Sequence, residues 1–262
     1  MTRLPKGWGC LVVAGSVLSA EVAHAQWSTA ALLNESGETT ADVKSGKIRG
    51  SRHGGFHASY ITNAGQMRYR RWKGSLSSAI TVASDLIFNS HMDEAPNGDV
   101  HIVWENWAGG TPEVGWARST DNGASFSSPV EITSTSGQAK WPLVSGYGVG
   151  QSGQVVMSYW NASNKDVRAR HFSGTWGTDT YLGSDGNSEY EVYGIARSPL
   201  DGTVFRSYDA GTWLGFRQFD GTWSSFVNVD DWGFSPRIQI AVNDAGQVMM
   251  LWDNNEKIYS AV

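Results

Sequence analysis

The sequence predicts an all-β fold, a single five-bladed β-propeller built from four-stranded antiparallel blades. A short motif recurs five times along the chain. Each repeat contains short apolar or alternating stretches separated by glycine turns, and residues 26–262 show no sustained 3.6-residue apolar period. A lone four-stranded sheet cannot bury both of its faces, whereas radial packing of several such sheets covers them.

The recurring motif is a glycine followed two residues later by an apolar residue and six residues later by an aromatic residue. Successive glycines are separated by 44, 55, 49 and 44 residues. Each glycine lies between two short apolar stretches, which is typical of a β-hairpin. The five copies are Gly54-Phe56-Tyr60, Gly98-Val100-Trp104, Gly153-Val155-Tyr159, Gly202-Val204-Tyr208 and Gly246-Val248-Trp252.

A third strand is expected after each motif, at Met67–Trp72, Val114–Ser119, Val167–Phe172, Leu214–Phe219 and Ile258–Val262. The blades are predicted over about residues 43–85, 86–135, 136–184 and 185–230, with 231–262 and 26–34 forming the fifth. The fifth repeat reaches only its third strand, and Trp27–Leu33 resembles the outer strand of the other repeats. We therefore predict that this N-terminal strand pairs into the last blade and closes the ring.

The first 25 residues resemble an export signal. Arg3 and Lys6 precede an apolar stretch over about residues 8–20, and Ala23-His24-Ala25 offers the small residues that a signal peptidase recognises. The apolar stretch is too short to span a bilayer. We therefore predict cleavage before Gln26 and a secreted or periplasmic protein.

Composition excludes several kinds of site. Cys10 is the only cysteine, which argues against disulfides, Cys-ligated metals and cysteine nucleophiles in the mature chain. The formal net charge of −5 argues against a nucleic-acid partner. No cofactor motif or metal-ligand spacing is present, so we predict neither a cofactor nor a metal. We also predict no membrane insertion.

The segment Ser119-Thr120-Asp121-Asn122-Gly123-Ala124-Ser125-Phe126 resembles the Asp-box of sialidase-like propellers, Ser-x-Asp-x-Gly-x-Thr-aromatic. This resemblance implies a structural turn. Its expected parts are Asp121 bonded to nearby backbone, Gly123 at positive φ and Phe126 filling the blade, with Ser119 opening the turn. It also implies a secreted propeller that binds glycans or acts on them.

Sialidases bind the substrate carboxylate with three arginines and use a Tyr–Glu nucleophile pair and an aspartic acid/base. The resemblance directs attention to polar residues at the innermost strands, where propeller sites converge. If the chain is an enzyme, an exo-sialidase-like glycosidase is the first expectation, with one site at the channel mouth. The candidates are Arg49, Arg197 and Arg237 for the carboxylate, Tyr190 and Glu191 for the nucleophile pair and Asp93 for the acid or base.

A polysaccharide lyase is a second enzymatic alternative, because histidines can serve as its base. Four histidines, His53, His57, His91 and His101, fall in the first two repeats. His57 and His101 each follow the repeat glycine by three residues. This shared position suggests a structural role for the pair.

The aromatic content favours a third interpretation, a glycan-binding, lectin-like module. The chain has 13 Trp, 9 Tyr and 9 Phe, more than the repeat cores need. Flat aromatic rings beside amides and carboxylates suit the apolar faces of sugars. We favour binding over catalysis, and a protein-interaction scaffold in the periplasm or envelope remains a further alternative. The carbohydrate-binding candidates, expected in loops, are Trp107, Trp141, Tyr193, Trp213 and Trp232.

Overall fold

The computed structural model describes residues 46–84, 86–133, 138–184, 194–210, 213–231, 238–254 and 257–262. Several predictions fall outside these ranges: the export signal, the closing strand Trp27–Leu33 and the site candidates Tyr190, Glu191, Tyr193, Trp232 and Arg237. The described ranges form β-strands and turns and contain no helix long and apolar enough to cross a membrane.

Within the described ranges, nineteen strands form five antiparallel sheets, numbered here as blades one to five in chain order. Blade one contains β1 (Lys47–Gly50), β2 (Phe56–Ile61), β3 (Met67–Trp72) and β4 (Ile80–Ala83). Blade two contains β5 (Ile87–Glu94), β6 (Val100–Asn106), β7 (Glu113–Ser119) and β8 (Val130–Glu131). Blade three contains β9 (Ala139–Gly146), β10 (Val155–Asn161), β11 (Asp166–Phe172) and β12 (Thr180–Ser184). Blade four contains β13 (Gly194–Arg197), β14 (Val204–Asp209), β15 (Leu214–Phe219) and β16 (Val227–Asp230), and blade five contains β17 (Ile238–Val242), β18 (Val248–Asn254) and β19 (Lys257–Ala261).

The blades are arranged around a common axis through their first strands, β1, β5, β9, β13 and β17. Each of these innermost strands contacts the next along the chain, from β1 to β17. All five also line one cavity of about 320 Å³. The predicted fold class, an all-β five-bladed propeller, is therefore confirmed. Pairing between the chain ends stays a prediction.

The repeat motif supplies the turn and the core of each blade. Gly98 has φ of 91°, in the left-handed region that glycine enters at little cost, and its hairpin joins β5 to β6. The aromatic residue six positions later is buried in every blade, because it lies on the second strand, between neighbouring sheets. These residues are Tyr60, Trp104, Tyr159, Tyr208 and Trp252.

Candidate functional site

Two groups of candidate residues lie at opposite ends of the innermost strands. Strand β6 runs antiparallel to β5, so Asn106 faces Ile87 at the start of β5 and Val100 faces Glu94 at its end. The predicted catalytic residues that the structure describes lie toward the C-terminal ends of the innermost strands. The aromatic candidate Trp107 directly follows β6 and therefore lies at the opposite end, where the innermost strand β5 begins. Catalytic and binding hypotheses therefore concern two different ends of the channel.

The cavity on the axis, called here the axial cavity, brings together three predicted catalytic residues. Arg49, Asp93 and Arg197 line it, together with Ser145 and residues of β17. Arg49 Nε donates to the carbonyl oxygen of Met92 at 3.1 Å and lies 3.6 Å from Asp93 Oδ1. Blades one, two and four thus contribute charged side chains to one small polar space.

Arg197 is the least satisfied of these charges. Its guanidinium makes no hydrogen bond or ion pair with any residue that the structure describes. Burial lowers the pKa of Arg197, the nearby positive charge of Arg52 lowers it further, and the negative charges of Asp93 and Glu94 offset this only in part. A desolvated cation beside another cation favours an anionic group, so the axial cavity could accept a carboxylate.

The carboxylates beside this cavity are held by backbone groups. Asp93 Oδ2 accepts a hydrogen bond from the amide of Gly146 at 2.9 Å, which links blade two to blade three. Glu94 accepts one from the amide of Arg52 at 2.9 Å and lies 3.5 Å from His57 Nε2. Burial alone would raise the pKa of Glu94, but the nearby His57 imidazole and the hydrogen bond from the Arg52 amide outweigh it and leave that pKa lowered. Both carboxylates therefore connect neighbouring blades.

Three of the four candidate histidines are buried. Burial lowers the pKa of His101 to about 3, and it lowers the pKa of His91 well below its usual range, helped by Arg49. His57 Nδ1 lies 2.5 Å from the Tyr69 hydroxyl inside blade one. His57 and His101 occupy corresponding core positions, as their shared place in the repeat suggested.

At the other end of the channel, residues of blades two and three lie near a buried carboxylate and near one another. This aromatic platform consists of Phe88, Trp107, Lys140 and Trp141, with Glu105 beneath. Glu105 is 3% exposed. Its Oε1 accepts a hydrogen bond from Trp107 Nε1 at 2.6 Å, and its Oε2 accepts one from the Trp141 amide at 3.3 Å.

Two irregularities of the innermost strands create this arrangement. The pairing register shifts between Phe88 and Ser90 in β5, and the pairing of β9 shifts at the corresponding place. Asn89 and Trp141 lie at these shifts with φ of 24° and 49°. Asn89 Nδ2 also donates to Glu105, at 3.1 Å. Positive φ at residues other than glycine is held in place only by well-determined surroundings, and such strain concentrates at functional sites.

Trp107 and Phe88 form the accessible part of the platform. Trp107 is half-buried, and Phe88 is 49% exposed with its ring centre 5.9 Å away. Lys140 Nζ lies 5.5 Å from the centre of the Trp107 ring. The structure thus sets an indole, a phenyl ring and an ammonium group side by side at the surface.

The other described aromatic candidates have different surroundings. Trp141 lies within β9, so the expectation that it belongs to a loop was wrong. The pairing register shifts at Trp141, but the strand continues through this irregularity. Its ring stacks on Trp160 with centres 5.1 Å apart and packs against the core. Trp213 is 52% exposed and lies directly before β15 in blade four.

The turn predicted from the Asp-box resemblance has the expected hydrogen bonds. Asp121 Oδ1 accepts from the Ser125 amide at 2.9 Å, and the Gly123 amide donates to Ser119 Oγ at 2.7 Å. Hydrogen bonds from the Ser125 hydroxyl above all, and from Ser119 and the backbone amides of the turn, lower the pKa of Asp121 to about 2. Gly123 has φ of 78°, and Phe126 packs edge-on against Tyr69. The segment is therefore a rigid turn that contacts blade one.

Within the described ranges, no three His, Cys, Asp or Glu side chains come together as a metal site. No protein-family model matches the sequence. A search of the curated proteins also finds no match.

Solved structures with the same fold are similar to this chain at low sequence identity. A variant of Aleuria aurantia lectin AAL in complex with Fucα1-6GlcNAc has a TM-score of 0.58 and 13% identity, covering 84% of this chain and 76% of that one. A variant of the NanB sialidase from Streptococcus pneumoniae has a TM-score of 0.57 and 8% identity, covering 86% and 58%. The Dos1 propeller has a TM-score of 0.52 and 11% identity, covering 81% and 54%.

The chain therefore has the β-propeller fold that sialidases and lectins share. It spans a little over half the length of the sialidase and Dos1 chains, 58% and 54%. At such identities the likeness concerns the fold alone, and function has to be argued from the residues of this chain.

Proposed function

We propose that this protein is a secreted, carbohydrate-binding β-propeller and that the aromatic platform is its binding surface. The observation that carries the proposal is Glu105, a buried carboxylate that fixes the Trp107 indole and the Trp141 backbone. A fixed aromatic ring loses little conformational entropy when a sugar stacks on it. The ammonium group of Lys140, 5.5 Å from the centre of that ring, supplies a polar partner beside it.

Secretion is supported by the N-terminal sequence, in which a basic start, an apolar stretch and Ala23-His24-Ala25 follow one another. N-terminal sequencing of protein exported by the host cell tests this part of the proposal. A mature chain that begins at Gln26 is the expected result, and an exported chain that retains residues 1–25 would contradict it.

The binding surface is tested by replacing Trp107 with alanine. Surface plasmon resonance over immobilised neutral and sialylated oligosaccharides should show at least about tenfold weaker binding, since central aromatic residues dominate such interfaces. Trp72→Ala is the matched control, because Trp72 is 44% exposed at the end of β3, away from the platform. Unchanged binding by Trp107→Ala would show that the platform is not the site.

A glycoside hydrolase site in the axial cavity is a second candidate function, favoured by Arg197, whose guanidinium has no partner among the described residues, in a cavity that Asp93 also lines. In this case Arg197 would bind a substrate carboxylate. Hydrolysis of a 4-methylumbelliferyl sialoside tests this candidate. If the hydrolase proposal is right, the unmodified protein hydrolyses the sialoside, and Arg197→Gln loses this turnover but still binds oligosaccharides. Absence of turnover by the unmodified protein would contradict the proposal.

A further inference from the structure

Blades one and two carry the same arrangement of a histidine, an aromatic residue and an arginine on their second and third strands. In each blade the histidine faces the arginine across the strand pair. The aromatic ring lies two residues before the arginine, with its centre 5.9 Å from the histidine ring. The residues are His57, Tyr69 and Arg71 in blade one and His101, Trp116 and Arg118 in blade two.

The arginine of blade one is satisfied by a turn of blade two. Arg71 Nη1 donates to the carbonyl oxygen of Asn122 at 2.8 Å. The turn that contains Asn122 also places Phe126 against Tyr69, with ring centres 4.8 Å apart. The junction between blades one and two is therefore covered by the 119–126 turn.

The corresponding turn of blade three is shorter by three residues. In blades two and three a backbone hydrogen bond closes the turn after the third strand. The amide of Ser127 donates to the carbonyl oxygen of Arg118 at 2.8 Å in blade two, and the amide of Gly177 donates to that of His171 at 2.9 Å in blade three. From the end of the third strand, Ser119 or Phe172, the chain takes eight residues to Ser127 and five to Gly177. Trp176 takes the place of Phe126, with its ring centre 5.5 Å from Trp116. No residue of this shorter turn bonds Arg118 as Asn122 bonds Arg71.

The shorter turn leaves a cavity of about 640 Å³ between blades two and three, called here the inter-blade groove. Arg118 is fixed at its wall, because Nε donates to Asp99 Oδ2 at 3.0 Å and the guanidinium lies 5.4 Å from the centre of the Phe172 ring. Arg118 Nη1 donates to no group among the residues that the structure describes. The lining that a ligand would meet includes Trp116, Arg118, Thr120, Ser125, Thr175 and Trp176.

The next junction is filled by a side chain. Tyr147 packs edge-on between blades three and four, with its ring centre 5.3 Å from His171 and 4.8 Å from Phe219. His171 is the counterpart of Arg118, so the equivalent space is occupied by protein. The inter-blade groove thus combines an open cavity with a fixed arginine.

We propose that the inter-blade groove binds a neutral pyranose sugar, as a second site that rests on the proposed carbohydrate-binding function. The C–H face of the sugar packs on Trp116 and Trp176, and its hydroxyl oxygens accept from Arg118 as the Asn122 carbonyl does from Arg71. Hydroxyl groups of Thr120, Ser125 and Thr175 line the opening. A cavity of this size accommodates one or two sugar rings.

Charge favours a neutral ligand over an acidic one. Asp99 already neutralises Arg118, with which it forms an ion pair. Asp121 Oδ2 accepts a hydrogen bond from Ser125 Oγ at 2.5 Å, which places a second carboxylate at the rim. An acidic sugar would bring its own negative charge toward both carboxylates.

Thr175→Tyr tests the proposal, since it fills the groove without removing Arg118 or Asp99. Thr222→Tyr is the matched control, because Thr222 holds the same position in the corresponding turn of blade four. Saturation-transfer NMR and calorimetry use methyl glycosides of glucose, galactose, mannose and N-acetylglucosamine, with methyl glucuronide as the acidic probe. We expect at least about tenfold weaker binding of a neutral glycoside to Thr175→Tyr and to Arg118→Gln, with Thr222→Tyr unchanged.

The outcomes separate this inference from the proposed function. Oligosaccharide binding that is lost in Trp107→Ala but kept in Thr175→Tyr and Arg118→Gln would overturn the groove site and leave the platform supported. Preference for methyl glucuronide over every neutral glycoside would overturn the ligand class. If the unmodified protein binds no glycan at all, both proposals fail.

Discussion

Trp107 Nε1 donates a 2.6 Å hydrogen bond to the buried Oε1 of Glu105, and this bond fixes the half-buried indole of the aromatic platform. The other oxygen of the same carboxylate holds Asn89 and the backbone of Trp141. One acidic residue therefore determines the geometry of a surface that two blades share.

Replacing this carboxylate should loosen the platform. In Glu105→Gln the side-chain amide oxygen can still accept from Trp107. Its NH₂ group, however, would face the Asn89 amide and the Trp141 backbone N–H, which are also donors. We expect a loss of about 1–3 kcal/mol in the free energy of unfolding and weaker glycan binding. Urea unfolding and surface plasmon resonance measure the two effects. Glu131→Gln, on the exposed strand β8, is the control and should change neither.

The turn at residues 119–126 should be intolerant of a side chain at Gly123. A Cβ there would lie 1.8 Å from the Tyr69 hydroxyl, at φ of 78°. We expect Gly123→Ala to cost more than about 2 kcal/mol of stability. Gly110→Ala provides the comparison, since Gly110 has φ of 80° with nothing within 4 Å of its Cβ, so backbone strain acts alone. Equal losses for the two variants in urea unfolding would refute the predicted clash.

Stability should decrease in mild acid because His101 is buried in its neutral form. Burial lowers its pKa from 6.5 to about 3, so the unfolded chain binds a proton in this range that the folded chain does not. The contribution of His101 is complete above pH 6.5 and is lost as the pH falls toward 3.

His101→Gln tests this dependence, because glutamine can accept from Trp116 but does not titrate. The free energy of unfolding of this variant, measured in urea at several pH values, should fall less steeply below pH 6.5. A remaining slope is expected from His91, whose pKa is also lowered by burial. An unchanged slope would contradict the assignment to His101.

The predicted pairing of Trp27–Leu33 with the fifth blade can be tested by deleting residues 26–34. If this segment forms the outer strand, its loss should expose the edge of β19 (Lys257–Ala261). Hydrogen exchange of β19 amides should then accelerate at least about tenfold, whereas β16 in blade four should be unaffected. Equal protection of β19 with and without the segment would rule out the pairing.

The strands could be predicted from sequence because their signals are local. Glycine turns and alternating apolar residues placed the third strand of blade one at Met67–Trp72, where it lies. The shifts at Asn89 and Trp141 could not be predicted, because they depend on packing around Glu105 between two blades. The inter-blade groove depends partly on the difference in turn length between blades two and three, which the sequence shows. The filling of the next junction by Tyr147 depends on tertiary packing and could not be predicted.

A glycan array probed with the purified protein tests the central claim most directly, with each bound glycan then incubated with the protein and its products determined by mass spectrometry. The account predicts binding of a defined set of glycans, without cleavage, that Trp107→Ala weakens and Trp72→Ala does not. Absence of binding to any glycan would contradict it. Cleavage of the bound glycan would instead identify an enzyme and direct attention to the axial cavity around Arg197.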